Sequence, residues 1–86
     1  MYKVTLNRSA KKDFRSLPKS LLSTLLEKSL ALEKDPFPYN SLKLSGYRDL
    51  YRLRFGDYRI VYSVNHDLKQ IDILYVRHRR DVYRGL

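Results

Sequence analysis

Arginine is concentrated in one short segment, YRLRFGDYRIVY at positions 51–62, where Arg52 and Arg54 precede a Gly-Asp pair and Arg59 follows it. A guanidinium group binds phosphate through a planar fork of N–H donors and can stack on a nucleobase. Three such groups on one surface would form a site for a ligand that carries several negative charges. The alternative is a solvated face that serves solubility, since runs of charge commonly do.

The end of the chain has a similar composition, with four arginines, a histidine and a tyrosine in RHRRDVYR at positions 77–84. Single-stranded RNA is held by basic groups on its phosphates and by planar side chains stacked on unpaired bases. The candidate site residues in this segment are Arg77, His78, Arg79, Arg80 and Tyr83. The tyrosine has a second interpretation, as an apolar anchor for the last turn of the chain.

The net charge favours the same class of ligand. Eighteen Lys and Arg against nine Asp and Glu give a formal net charge of +9. Such a field attracts nucleic acid, an anionic membrane surface or an acidic protein. Residues 1–46 hold seven Lys and two Arg, whereas residues 47–86 hold eight Arg and one Lys. Further candidates for substrate binding come from the first half of the chain: Lys11, Lys12 and Arg15.

Composition also indicates the compartment. The chain has no cysteine, so neither a disulfide framework nor thiolate chemistry is expected, which fits a reducing cytoplasm. The first residues lack the apolar run of a signal peptide. Polar residues interrupt the longest leucine-rich stretch, so no membrane span is predicted.

Hydrophobic periodicity predicts strands over residues 2–7 and near 48–55, 58–64 and 70–76, with a loop at 36–46. The last strand is apolar on both of its faces, which favours an interior position in the sheet. The expected order is β-α-α-β-β-β in one domain, residues 1–86. The predicted class is α+β, with two helices packed on a largely antiparallel four-stranded sheet.

Two helices are predicted between the first two strands. Ser9 is expected to cap the first, with a buried face of Ala10, Phe14 and Leu17. The second is expected over about 19–34, where prolines end it, with a buried face of Leu22, Leu25, Leu26 and Leu30.

A two-residue turn at Gly56-Asp57 would fix the register of the hairpin, with Arg54 directly opposite Arg59. One hairpin face would then form the core: Tyr51, Leu53, Phe55, Tyr58, Ile60 and Tyr62. The other face would hold the three arginines and Val61. Like charges opposite each other destabilise a sheet, which favours a binding role for this face over a role in solubility.

Three segments in this order resemble the RelE toxins of the RelE/ParE superfamily, over essentially the whole chain. They are L-x-G-x-x-x-x-Y-R-L-R from Leu44 to Arg54, GDYRIVY, and the HRRDVY ending. The resemblance implies a toxin of a type II toxin–antitoxin pair that enters the ribosomal decoding site and cuts messenger RNA there. It also implies silencing by a cognate antitoxin, and operator DNA binding by the pair.

The resemblance implies roles for the hairpin arginines. The family's basic pair on the first hairpin strand falls on Arg52 and Arg54. The arginine that holds phosphate on the next strand falls on Arg59.

In the ending, the arginine that assists the leaving group best matches Arg79, although Arg77 or Arg80 are alternatives. The tyrosine that stacks on a base matches Tyr83.

RNA can be cut without a metal ion when its 2′-hydroxyl attacks the adjacent phosphate, provided that the protein orients the groups and neutralises the developing charge. The carboxylates are scattered and the two histidines lie twelve positions apart, so no metal site and no cofactor are predicted. The family's basic pair is lysine in its best-known member, whereas arginine is not a credible general base. His78 is the expected substitute because imidazole titrates near neutrality.

Two alternatives to an endoribonuclease stay open. One is a toxin like ParE, which shares the architecture and is known for poisoning DNA gyrase. The other is a basic nucleic-acid-binding module without toxicity. For the endoribonuclease, the expected partners are an antitoxin, the ribosome with messenger RNA, and operator DNA. A membrane is not among them.

Overall fold

A computed structural model describes residues 1–81 of the chain. Its five strands and two helices follow one another as β1 (Lys3–Leu6), α1 (Arg8–Arg15), α2 (Lys19–Leu30), β2 (Ser41–Lys43), β3 (Leu50–Phe55), β4 (Tyr58–Asn65) and β5 (Gln70–His78). A short 3₁₀ turn, Ala31–Glu33, extends α2. No helix in this part of the chain is both long and apolar enough to cross a bilayer.

The strands form one mixed sheet in the order β1-β5-β4-β3-β2, in which only β1 and β5 run parallel. The α+β class with helices on a largely antiparallel sheet is confirmed, and so is the interior position of the last strand. The prediction of four strands is wrong, because β2 lies in the segment expected to be a loop. Its three residues are too few to show an alternating pattern, and pairing with β3 holds them in place.

The first helix begins earlier than predicted. The side chain of Asn7, not Ser9, accepts a hydrogen bond from the Ala10 amide at 2.8 Å and caps the helix. Ala10 and Phe14 are buried as predicted, and Leu17 packs at the edge of the core.

Three of the four leucines predicted for the buried face of the second helix are confirmed, since Leu25 lies in the core and Leu22 and Leu26 pack against it. Leu25 is fully buried, but Leu30 is 48% exposed, because it stands about 140° around the helix from Leu25 at about 100° per residue. Ser29 occupies the buried position and donates its hydroxyl to the Leu25 carbonyl at 2.9 Å. Leu32, on the 3₁₀ turn, completes this side of the core.

The hairpin of β3 and β4 has the predicted register, with Arg54 opposite Arg59 and Phe55 opposite Tyr58. Gly56 opens the turn at φ +57°, a conformation that glycine adopts without steric cost. The face predicted for the core packs against the helices. The opposite face of the sheet, here called the open face, carries the arginines.

One irregularity in β5 decides which side chains reach the open face. Between Val61 and Tyr62 of β4 the pairing with β5 shifts, so that Leu74 is an extra residue, a β-bulge. Before the bulge Ile73 points to the core, and after it Val76 does. The bulge therefore moves the odd-numbered residues that follow it onto the open face.

Candidate nucleic-acid interface

Three arginines form a row across the open face. Arg54 on β3 is the partner of Arg59 on β4, which is in turn the partner of Arg77 on β5. The α-carbons of directly opposed antiparallel residues lie about 4.5–5.5 Å apart, so the three arginines are anchored on the backbone within about two strand spacings. Arg52 lies on the same face, two residues before Arg54 along β3. We call Arg54, Arg59 and Arg77 the arginine row, and Arg52 lies beside it.

Beside the arginine row the open face is apolar, which the sequence analysis missed. Val61 is fully buried and Leu44 nearly so, and they form a second, smaller cluster with three partly buried neighbours, Leu50, Leu74 and Tyr75. The segment after β2 folds over this face through Leu44. The open face thus carries a small, largely buried apolar cluster next to the charged row.

The hairpin turn organises two of the arginines. The Arg59 guanidinium Nη1 donates to the carbonyl oxygens of Gly56 at 2.9 Å and Tyr58 at 3.0 Å. The Arg79 amide donates to the Asp57 carbonyl at 2.7 Å. The Arg79 Nε lies 3.9 Å from the Asp57 carboxylate, in a pair that is largely exposed. The turn therefore joins the end of β5 to the end of the arginine row.

Arg77 has a more enclosed environment. Its Nε lies 3.3 Å from the carboxylate of Asp13 on α1, and both side chains are largely buried. Its guanidinium carbon lies 4.0 Å from the ring centroid of Tyr75, a cation–π contact. The structure thus places Arg77, rather than the favoured Arg79, in register with Arg59.

His78 lies on the helix side of the sheet, away from the arginine row. Its ring contacts the ring of Tyr58 edge-on at 5.6 Å. Its Nδ1 accepts a hydrogen bond from the Arg80 amide at 3.3 Å, which engages the lone pair that a general base would use.

The other predicted site residues are dispersed. The side chains of α1 that were predicted to bind substrate, Lys11, Lys12 and Arg15, are exposed on the helical layer. Arg80 is exposed after the end of β5, and Tyr83 lies outside the described residues. His66 contacts the Tyr2 hydroxyl at 3.2 Å, at the opposite end of β4 from Arg59.

No three His, Asp or Glu side chains within residues 1–81 are grouped as metal ligands. Tyr62 has a clearly shifted pKa. Burial raises its pKa to about 12. It lies in the core, where its hydroxyl donates to the Pro36 carbonyl at 2.7 Å, so it supports the fold and not the interface.

Comparison with known proteins identifies the fold. The family described as the ParE toxin of the type II toxin–antitoxin system parDE matches residues 4–83. Toxin RelG of Mycobacterium tuberculosis is 27% identical over 84 residues, which cover 96% of this chain and 97% of that protein.

Solved structures agree with this result. The archaeal RelE–RelB complex from Pyrococcus horikoshii matches at 41% identity and a TM-score of 0.80, over 91% of this chain and 94% of that one. A toxin–antitoxin complex from Mycobacterium tuberculosis matches at 26% identity and a TM-score of 0.81, over 91% and 98%.

The small mixed sheet, its helical layer and these matches define a toxin of a type II toxin–antitoxin system. The chain belongs to the RelE/ParE superfamily, as the resemblance of its sequence predicted. The relatives and neighbours named above support the RelE family within it.

Proposed function

We propose that this toxin is an endoribonuclease that cuts messenger RNA in the decoding site of the ribosome and thereby stops translation. The observation that carries the proposal is the arginine row. Cross-strand like charges destabilise a sheet, and three arginines in register on neighbouring strands suit a phosphodiester that gains negative charge as it reacts.

The chemistry needs no redox partner. The 2′-oxygen of a nucleotide attacks the adjacent phosphorus and loses its proton, while the bond from phosphorus to the 5′-oxygen breaks and that oxygen takes up a proton. The products are a 2′,3′-cyclic phosphate and a 5′-hydroxyl. Arg54, Arg59 and Arg77 would neutralise the phosphorane, whose charge exceeds that of the substrate, so they would lower the barrier rather than only tighten binding.

The arginines do not provide an obvious base to remove the proton of the 2′-hydroxyl. Arg52 and Arg54 stay protonated at any physiological pH. His78 could act as the base only after its ring leaves the Arg80 amide and turns toward the arginine row. We therefore assign most of the rate enhancement to orientation and charge neutralisation, which can each supply several powers of ten.

An antitoxin is the proposed partner of the free toxin. Relatives with the same fold are found in RelE–RelB complexes, and a toxin with a net charge of +9 favours a partner segment with acidic character. The toxin–antitoxin pair would bind the operator DNA of its own genes. The free toxin would act in the cytoplasm, where the ribosomes are.

Induced expression tests the proposal. Wild-type toxin is expected to arrest growth, and primer extension on cellular messenger RNA is expected to show cuts at fixed positions within codons. Arg59→Ala and Arg77→Ala should each strongly reduce both effects, leaving slow residual cleavage, while the protein stays folded. Arg48→Ala is the matched control, since the Arg48 side chain is 96% exposed and lies outside the arginine row. Undiminished cleavage by both folded row variants would refute the assignment of the site.

A second candidate is a toxin like ParE that poisons DNA gyrase, which the description of the matching family favours. It predicts DNA damage after induction and messenger RNA without codon-positioned cuts. A third, the non-toxic binding module, predicts growth that is unaffected by induction.

A further inference from the structure

Asp13 joins the helical layer to the strand that ends the arginine row. One oxygen of its carboxylate, Oδ2, accepts a hydrogen bond from the Val76 amide at 3.0 Å and lies 3.3 Å from the Nε of Arg77. The Asp13 side chain is only 18% exposed. The same oxygen therefore contacts the backbone of β5 and the side chain of the next residue.

The position of Asp13 follows from the length of β1. That strand pairs with β5 only as far as Leu6, opposite Ile73, and the Asn7 amide makes the last hydrogen bond of this edge, to the Ile73 carbonyl. Beyond this point no strand of the described structure pairs with the outer edge of β5. Helix α1 crosses there, and Asp13 provides the acceptor that a further strand would have given to the Val76 amide.

A carboxylate that accepts a hydrogen bond from a backbone amide is a negative charge held at a fixed position beside its arginine. A freely rotating surface carboxylate contributes little order to an arginine, because both long side chains lose entropy when they pair. Here the amide bond holds Oδ2 in place, and the ring of Tyr75 supports the guanidinium at 4.0 Å from its centroid. The two contacts restrain the Nε of Arg77 on one side and its guanidinium carbon on the other.

We propose that Asp13 is a positioning residue of the toxin's site, which orients the Arg77 guanidinium toward the phosphate held by the arginine row. This inference rests on the proposed endoribonuclease function. Asp13 would act through Arg77 and would not touch the RNA. A displaced guanidinium would stabilise the transition state less while the bound substrate is hardly affected. The substitution should therefore lower kcat and leave KM nearly unchanged.

The chain provides a matched control in its other arginine–carboxylate pair. Arg79 and Asp57 lie 3.9 Å apart with side chains 63% and 67% exposed, so solvent screens their interaction. Asp57→Asn removes the same charge as Asp13→Asn and keeps a residue type that turns favour. Asp57→Asn should change the cleavage rate by less than about twofold, because exposed ion pairs contribute almost no interaction energy.

A double-mutant cycle on programmed ribosomes tests the proposal. In single-turnover cleavage, Asp13→Asn is expected to lower kcat roughly tenfold to a hundredfold, the scale of a misplaced catalytic group. It keeps a side-chain oxygen for the Val76 amide. In an Arg77→Ala background the same substitution should cost almost nothing, because its effect acts through Arg77. An equal loss in both backgrounds would mean that Asp13 only attaches α1 to the sheet, and would overturn the proposal.

A measurement on the wild-type toxin separates this inference from the proposed function. By NMR, the Nε–H of Arg77 should exchange with water at least tenfold more slowly than the Nε–H of Arg79, whether or not the toxin cuts RNA. Equal exchange rates would refute the ordering of Arg77 by Asp13. Slow exchange at Arg77 in a toxin that leaves messenger RNA intact would support the pair and refute the endoribonuclease.

Discussion

Replacing Arg54 by threonine should make the toxin more stable and less active. Arg54 is exposed on β3 and directly opposes Arg59, and its side chain makes no ion pair with a described acidic residue. A like-charged cross-strand pair costs about 0.2–1 kcal/mol. Coulomb's law gives a similar figure, about 0.7 kcal/mol for two charges about 6 Å apart in water. Threonine also suits an exposed strand position slightly better than arginine.

The expected gain is therefore about 0.5–1 kcal/mol in the free energy of unfolding, which raises the Tm of a domain of this size by about 2–8 °C. The assay is thermal unfolding followed by circular dichroism, in about 0.01 M and in about 1 M salt. At the higher concentration the screening length falls to about 3 Å, so most of the gain should vanish. Under the proposed function, cleavage by the same variant should also fall, because one of the three charges assigned to the phosphate is gone.

Arg48→Thr is the control for net charge. It also lowers the formal charge by one, but it acts at a loop side chain that is 96% exposed. It should change stability by no more than about 0.5 kcal/mol. If the Tm of Arg54→Thr in low salt is equal to or below that of the wild type, repulsion between Arg54 and Arg59 does not destabilise the folded protein, and this prediction is wrong. A gain that persists in 1 M salt would refute its electrostatic origin.

Three further predictions concern the fold. Tyr62→Phe should cost about 1 kcal/mol through loss of the bond to Pro36. Because burial raises the pKa of Tyr62 from 10.0 to about 12, the stabilisation of the neutral phenol is complete below pH 10 and is lost as the pH rises to about 12. Urea unfolding should therefore show a weaker alkaline loss in this variant, and an unchanged loss would contradict the assignment. Leu25→Ala should cost about 2–5 kcal/mol in a urea titration, whereas Leu30→Ala should cost under about 1 kcal/mol because the side chain is half exposed; equal costs would contradict the observed helix face. Gly56→Ala should cost about 1–2 kcal/mol by thermal unfolding, all of it from the backbone, since a β-carbon there meets no atom within 4 Å; no loss at all would contradict the left-handed turn.

The hairpin could be predicted from the sequence because two independent signals agree there. Alternation with a period of two assigns each side chain to a face, and a Gly-Asp turn leaves one register in which the apolar faces coincide. The pairing of Arg54 with Arg59 followed from these signals alone. Helix α2 was harder, because its many leucines allow several apolar faces, and only packing on the sheet selects the one that contains Leu25 and Ser29.

Contacts distant in sequence escaped prediction. The strand β2 is three residues long and exists because β3 pairs with it. Asp13 had no local signal, since its partners lie 63 and 64 positions away. An acidic residue among the lysines of α1 looks like ordinary surface charge until the fold brings it to the edge of β5.

The bulge at Leu74 explains why the ending of the chain was the least predictable part of the site. With strict alternation from Ile73, Arg77 would point toward the helices and His78 toward the arginine row. One extra residue exchanges the two side chains, so that an arginine completes the row and the histidine packs on Tyr58. In the sequence this part of β5 is a continuous apolar run, ILYV, which gives no sign of which side chain faces which side of the sheet. Only the pairing with β4, in which Tyr62 faces Ile73 and Val61 faces Tyr75, identifies Leu74 as the extra residue. The proposed site therefore depends on a single irregular residue in β5, because without it Arg77 would leave the arginine row.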